Sequence, residues 1–160
     1  MTDDEDAVPR IVLDTNVCLD LLVFRDPACM PLRDALQRGA VRAVTRPDCR
    51  DEWRRVLHYP GLPVDDDARP VLMAVFDALS HMASPQQARP VGSPLPRCAD
   101  PDDQKFLELA SETGARWLLS KDKALLKLAN RTLRVCRFAI LQPQAWSLAE
   151  LPFHAPPHVS

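Results

Sequence analysis

Short apolar runs alternate along the chain with longer stretches of helical period. Ile11-Val12-Leu13 is a continuous apolar run of the kind found in a strand buried on both faces. Asp14-Thr15-Asn16 stops it and can cap a helix that continues to about Phe24. A second helix is predicted from Pro31 to Arg38, closed by Gly39. Val41 to Val44 reads as a second strand. Thr45 then serves as an N-cap, with Pro47 in the first turn, for a helix reaching about His58. Tyr59-Pro60-Gly61-Leu62-Pro63 breaks the pattern. Asp65 to His81 predicts another helix, whose apolar stripe is Val71, Leu72, Val75, Phe76 and Leu79. Ser84 to Arg97 is proline-rich and aperiodic, so it reads as a loop. Asp100-Pro101-Asp102-Asp103 opens a helix to about Thr113, with proline and carboxylates where the macrodipole favours them, and Gly114 ends it. Ala115 to Leu119 is a third strand, Asp122 to about Asn130 a helix, Arg137 to Leu141 a fourth strand, and Pro143 to Leu151 a last short helix.

Strands alternating with helices imply an α/β fold with a parallel sheet covered on both faces. The pattern defines one domain over residues 10–151, with flexible tails at 1–9 and 152–160, and contains no internal repeat. A chain of 160 residues is long enough to bury its own core. Four glycines against sixteen prolines argue against a glycine-rich phosphate loop and against an all-β fold stitched by tight turns. The five cysteines, Cys18, Cys29, Cys49, Cys98 and Cys136, are odd in number and contain no CxxC pair, which reads as reduced thiols rather than a disulfide framework or a zinc site. The acidic start, Met-Thr-Asp-Asp-Glu-Asp, lacks the positive charge of a signal peptide, and no apolar run approaches the roughly 18 residues that span a bilayer. The expectation is a soluble, cytoplasmic protein with no membrane segment. The net charge of −2 says little, because a nucleic-acid surface can be local.

Ligands of such sheets bind outside the carboxyl ends of the strands. Asp14 lies one residue past the first apolar run and Asp122 three past the third, so both belong on that rim. On the helix opened by Asp100, the stripe Asp103, Phe106, Leu107, Ala110 follows i, i+3, i+4, i+7, which turns Asp103 inward. Glu52 joins a similar stripe with Cys49, Trp53, Val56 and Leu57. A charge on a buried stripe is costly and must be compensated. Two compensations are open: each carboxylate caps a helix or pairs with a Lys or Arg, or several together hold a cation. Mg²⁺ and Mn²⁺ prefer hard oxygen ligands and need only a few carboxylates, so an acidic set without His or Cys suits them and not zinc.

The motifs carry a resemblance. Ile-Val-Leu-Asp14-Thr-Asn-Val resembles the opening of PIN-domain nucleases, and Asp48-Cys-Arg-Asp-Glu52-Trp-Arg-Arg-Val-Leu resembles the helix supplying that family's glutamate. Cys98-Ala-Asp100-Pro-Asp-Asp103-Gln-Lys-Phe-Leu is similar to its third acidic motif, Leu119-Ser120-Lys-Asp122-Lys-Ala-Leu-Leu to its fourth, and Ile140-Leu-Gln-Pro143-Gln-Ala-Trp to its closing strand and helix. The likeness runs in order from about Ile11 to Leu148 and is greatest to the branch assigned to toxin components of toxin–antitoxin systems. Ala99 departs from that branch, where a charged residue is common, as does the long proline-rich loop before Cys98. The resemblance implies a three-layer α/β/α sandwich and hydrolysis of RNA by a metal-activated water, with Mg²⁺ or Mn²⁺ as cofactor. It implies Asp14, Glu52, Asp103 and Asp122 as catalytic metal-site residues, with Asp100 as a further candidate. It also implies an antitoxin protein as a partner, and a homodimer is compatible with it.

Asn16 and Ser120 are suited either to hydrogen-bond the metal ligands or to cap helices. Arg46, Arg50 and Arg54 fall at i, i+4, i+8 on the helix of Glu52, and Lys123, Lys127 and Arg131 repeat that spacing after Asp122. These rows could hold RNA phosphates or could be solvated helix faces. Trp53, Trp117 and Trp146 read as core, and the four histidines carry no assigned chemistry. A haloacid-dehalogenase-like phosphatase would need an Asp where Asn16 stands. A response-regulator receiver would need an acidic pair at a strand end, whereas Asp3 and Asp4 lie in the tail. The remaining rival is a catalytically silent PIN-like module that binds RNA or protein, against which the presence of all four acids argues.

Overall fold

The computed structural model describes residues 8–84 and 95–148. Residues 1–7 of the first tail, all of the second, most of the proline-rich loop and the end of the last predicted helix lie outside the described residues. Five strands, β1 (Arg10–Leu13), β2 (Arg42–Thr45), β3 (Ser80–Met82), β4 (Trp117–Leu119) and β5 (Ala139–Leu141), form one sheet of order β3-β2-β1-β4-β5. Every pairing is parallel. Successive side chains of a strand point to opposite faces, and the core divides accordingly. Ile11, Ala43, Trp117, Leu119 and Ala139 face one way, and Val12, Val44, Leu118 and Ile140 the other.

The first face is covered by helices α1 (Thr15–Leu22), α2 (Met30–Gln37), α3 (Pro47–Val56) and α4 (Ala68–Leu79), through Val17, Leu21, Leu32, Trp53 and Phe76. The second is covered by α5 (Gln104–Thr113) and α6 (Lys123–Leu126), through Phe106, Leu107, Leu109, Ala110 and Leu125. Three layers result, α/β/α, each with an apolar face turned to the sheet. The three tryptophans are core: Trp53 stacks on Phe76 at 5.6 Å between centroids, and Trp117 meets Trp146 edge-on at 5.5 Å. All five cysteines are free thiols, four of them buried. Among the described residues no helix is long and apolar enough to cross a membrane.

Several expectations are corrected. Among the described residues there are five strands, not four. The helix expected to run to His81 stops at Leu79, where the Ser80 hydroxyl donates to the Phe76 carbonyl at 2.7 Å and the backbone turns extended. Ser80–Met82 then pairs with β2 as an edge strand. Thr45 is the last residue of β2 instead of a cap, and extended Arg46 occupies the cap position of α3. The helix after Asp122 is broken into α6 and α7 (Ala129–Arg131), followed by a π-turn over Thr132–Cys136 that ends on Arg137 at φ 69°. Pro143–Ala145 is a single 3₁₀ turn. Gly114 ends α5 in the left-handed region at φ 67°, as its position predicts.

Leu107 is fully buried where α5 meets the sheet. Leu107→Ala leaves a cavity beside the helix that carries Asp103, and should cost about 2–5 kcal/mol in urea unfolding. A loss below about 1 kcal/mol would mean that the layer repacks freely.

Candidate metal centre

In the order β3-β2-β1-β4-β5 the chain fills one side of β1 before crossing to the other, so the topological switch lies between β1 and β4. Asp14 follows β1, and Ser120 and Asp122 follow β4. An open cleft of about 560 Å³ lies there, lined by Asp14, Glu52, Asp100, Asp103 and Asp122, and also by Arg55, Val56, Tyr59 and Leu62. The four acids of the sequence motifs, together with Asp100, thus share one cleft.

Asp14 is buried. Its Oδ1 accepts the Val17 amide at 2.9 Å, capping α1, and its Oδ2 accepts a short hydrogen bond from the Ser120 hydroxyl. Burial pushes its carboxyl up to about 6 against these two donors, with Asp122 and Glu52 adding repulsion. Ser120 in turn accepts the Asp122 amide at 2.9 Å, so one hydroxyl ties the two strand ends together. Asp122 caps α6 through the Ala124 amide at 2.9 Å, and Asp100 caps the turn Pro101–Asp103 through the Asp102 amide at 3.0 Å.

Asp103 differs from these. Its Oδ2 is buried and accepts no hydrogen bond. One oxygen from each of Asp100, Asp103 and Asp122 lies within 4.8 Å of the others. Without a cation, Asp103 and Asp122 compete for one proton. Asp103 keeps it, because burial and the Asp122 carboxylate push it up to about 8, while the hydrogen bond with Asp103 and the Ala124 amide hold Asp122 below the usual carboxylate range. Three carboxylate oxygens this close together, in a group where Asp103 also keeps a buried oxygen without a donor, are the kind of hard donor set that Mg²⁺ or Mn²⁺ takes. The oxygens that converge belong to Asp100, Asp103 and Asp122. Asp14 lines the same cleft but is not one of the three, and both its oxygens already accept hydrogen bonds.

Glu52 enters the cleft from α3. Its Oε2 accepts the Thr15 hydroxyl at 2.5 Å, and its Oε1 is paired with the Lys105 ammonium at 2.5 Å. Sequence reasoning missed Thr15 and Lys105. The signals were there: Thr15 follows Asp14 directly, and Lys105 lies one residue before the inward-facing Phe106.

The basic rows fare differently. Arg46, Arg50 and Arg54 do not line the cleft. Arg46 is spent on Asp48, Glu108 and Glu112, Arg50 holds Asp77 with two bonds of 2.8 Å, and Arg54 pairs with Asp51 at 3.0 Å. Arg55, which the periodicity passed over, is the arginine at the cleft. Lys123 and Lys127 are exposed beyond Asp122 and outside the cleft lining. Asn16 is exposed in the cleft lining and bonds to none of the carboxylates, whereas Ser120 is fully buried between two of them.

A family model described as PIN domain matches residues 10–124, a span that contains Asp14, Glu52, Asp100, Asp103 and Asp122. No curated protein and no solved structure matches the chain.

The raised carboxyls set a pH dependence for the metal-free protein. Native Asp103 keeps its proton up to about 8, whereas the unfolded chain loses it near 3.8, so the native state binds more protons across that window. Stability therefore falls as pH rises from about 4 to about 8, with the Asp14 share ending near 6. Asp103→Asn should flatten the upper part of this slope and raise the melting temperature at pH 8. A slope unchanged in that variant, followed by thermal melts in a chelator, would place the pH dependence elsewhere.

Proposed function

The chain belongs to the PIN-domain family, a family of nucleases, and from that premise we propose that it is a divalent-metal-dependent endoribonuclease. The observation that supports this best is the grouping of Asp100, Asp103 and Asp122 oxygens within 4.8 Å of one another, with a buried Asp103 oxygen that has no donor. A bound Mg²⁺ or Mn²⁺ supplies an acidified water and charge neutralisation at the phosphate. Asp103 and Asp122 would hold the ion with Asp100, while Asp14 caps α1 and adds negative charge to the cleft. Ser120 fixes the spacing of Asp14 and Asp122, so it is a positioning residue. Glu52 lines the same cleft. Arg55 offers a guanidinium to a flanking phosphate, and Tyr59, exposed beside it, offers a ring face to a base.

The site geometry ranks the neighbouring acids. Asp102 is exposed and lends only its backbone to the cluster. Asp103→Asn and Asp14→Asn should each reduce cleavage of single-stranded RNA in Mg²⁺ or Mn²⁺ by at least about 100-fold, while Asp102→Asn stays within about threefold of wild type. Asp103→Asn cleaving at the wild-type rate would remove the assigned centre. RNA that is bound but never cut, with no dependence on added metal, would point instead to a silent RNA-binding module.

The finer proposal, that the nuclease is the toxin of a toxin–antitoxin pair, rests on the resemblance of its motifs. An antitoxin could lay a basic side chain into a cleft lined by six carboxylates and two cations, Arg55 and Lys105. Expression of the gene alone tests it. Arrested growth that is rescued by Asp103→Asn supports the toxin role, and unimpaired growth with active enzyme in the lysate removes it.

A further inference from the structure

Glu52 is the carboxylate of the cleft that no helix terminus supports. Its two oxygens are nevertheless both engaged, one by the Thr15 hydroxyl and one by the Lys105 ammonium, each at 2.5 Å. The ammonium is held at two further points. It donates to the Asp102 carbonyl and stands 4.9 Å from the centroid of the Phe106 ring. Both side chains are largely sheltered, with 15% of the Lys105 side chain and 20% of that of Glu52 exposed. By contrast, no basic side chain pairs with Asp100, Asp103 or Asp122 among the described residues. The cleft therefore has one carboxylate already matched to a cation and a group of three that is not.

We propose that Lys105 is the resident second cation of this cleft, so that the protein binds one divalent ion, at Asp103 and Asp122, with the lysine ammonium on Glu52 where a two-metal nuclease would carry its other ion. This rests on the metal-dependent reading above and specifies its stoichiometry. A Mg²⁺ or Mn²⁺ on Glu52 would need an oxygen at about 2.0–2.1 Å, the one that the ammonium now occupies. Entry of that ion would strip Lys105 of its carboxylate, its carbonyl and its ring contact, and would set a divalent charge beside an ammonium with little water between them. Position on the fold makes the arrangement economical: Lys105 lies two residues after Asp103, on the first turn of α5, so one helix end carries both a metal-binding carboxylate and the fixed cation. Glu52 then holds the lysine in place and does not ligate the metal.

Manganese binding to the full-length protein, without RNA, tests this by calorimetry and by the spin-resonance signal of free Mn²⁺. Wild type should bind one ion, Lys105→Arg one, and Lys105→Ala two, because the freed Glu52 becomes available. Glu52→Gln should keep one ion with affinity within about threefold of wild type, and this arm decides the matter if Lys105→Ala does not fold. Two ions on wild type, one ion on a folded Lys105→Ala, or loss of an ion in Glu52→Gln would each overturn the proposal while leaving a metal-dependent nuclease standing. A wild-type protein that binds no ion would overturn both.

Discussion

Repulsion among carboxylates gathered at one sheet rim is the constraint around which the rest of the structure is arranged. Six acids line a single cleft against two cations, and burial magnifies every like-charge contact among them. The fold resists this by tying the elements that carry the charges to one another outside the cleft. Arg46 at the start of α3 reaches Glu108 and Glu112 of α5, which clamps the helix of Glu52 to the helix of Asp103. Arg50 fastens α3 to α4 through Asp77. Lys121, immediately before Asp122, pairs with Asp20 of α1 at 2.5 Å, binding the loop after β4 to the helix that Asp14 caps. Two of the three arginines that the sequence suggested for RNA, Arg46 and Arg50, are spent on this scaffold, and Arg54 pairs within α3 with Asp51.

The strands that carry the site were legible because burial on both faces forces continuous apolar runs. Ile11 to Leu13 and Ala115 to Leu119 could be read directly, and the acids just beyond them followed from the geometry of parallel sheets. The phase of Asp103 was legible too, since Phe106, Leu107 and Ala110 on the same stripe are all buried. Ser80–Met82 was not legible. It is three residues long, half of its environment is solvent, and it continues a helical stripe with no break that composition marks. What separates it from the helix is a side-chain hydrogen bond from Ser80, which apolar periodicity does not register. The pairing of Arg46 with Glu108 and Glu112 and of Lys105 with Glu52 was equally hidden. Those partners are 62, 66 and 53 positions apart and meet only once the layers are stacked.

From sequence, capping a helix and serving a metal site look like competing explanations for each acid. In the structure the two are compatible in the same residue. A capping carboxylate needs one oxygen for a backbone amide, and the amide and the helix dipole lower the cost of holding charge there. Asp122 spends Oδ1 on Ala124 and Asp100 spends Oδ1 on Asp102, which leaves each a second oxygen for the cleft. Asp14 spends both oxygens, on Val17 and Ser120, and is the most buried of the set. Asp103, at the start of α5 without a capping bond of its own, is left with the unsatisfied oxygen and the most strongly raised affinity for a proton. Helix starts are thus where a parallel sheet can collect anions at lowest cost, and the rim of β1 and β4 supplies several within a few ångströms. Glu52, in the middle of α3, has no amide to draw on. A carboxylate placed there has to bring its compensation from elsewhere in the fold, and it does so through a hydroxyl from α1 and an ammonium from α5.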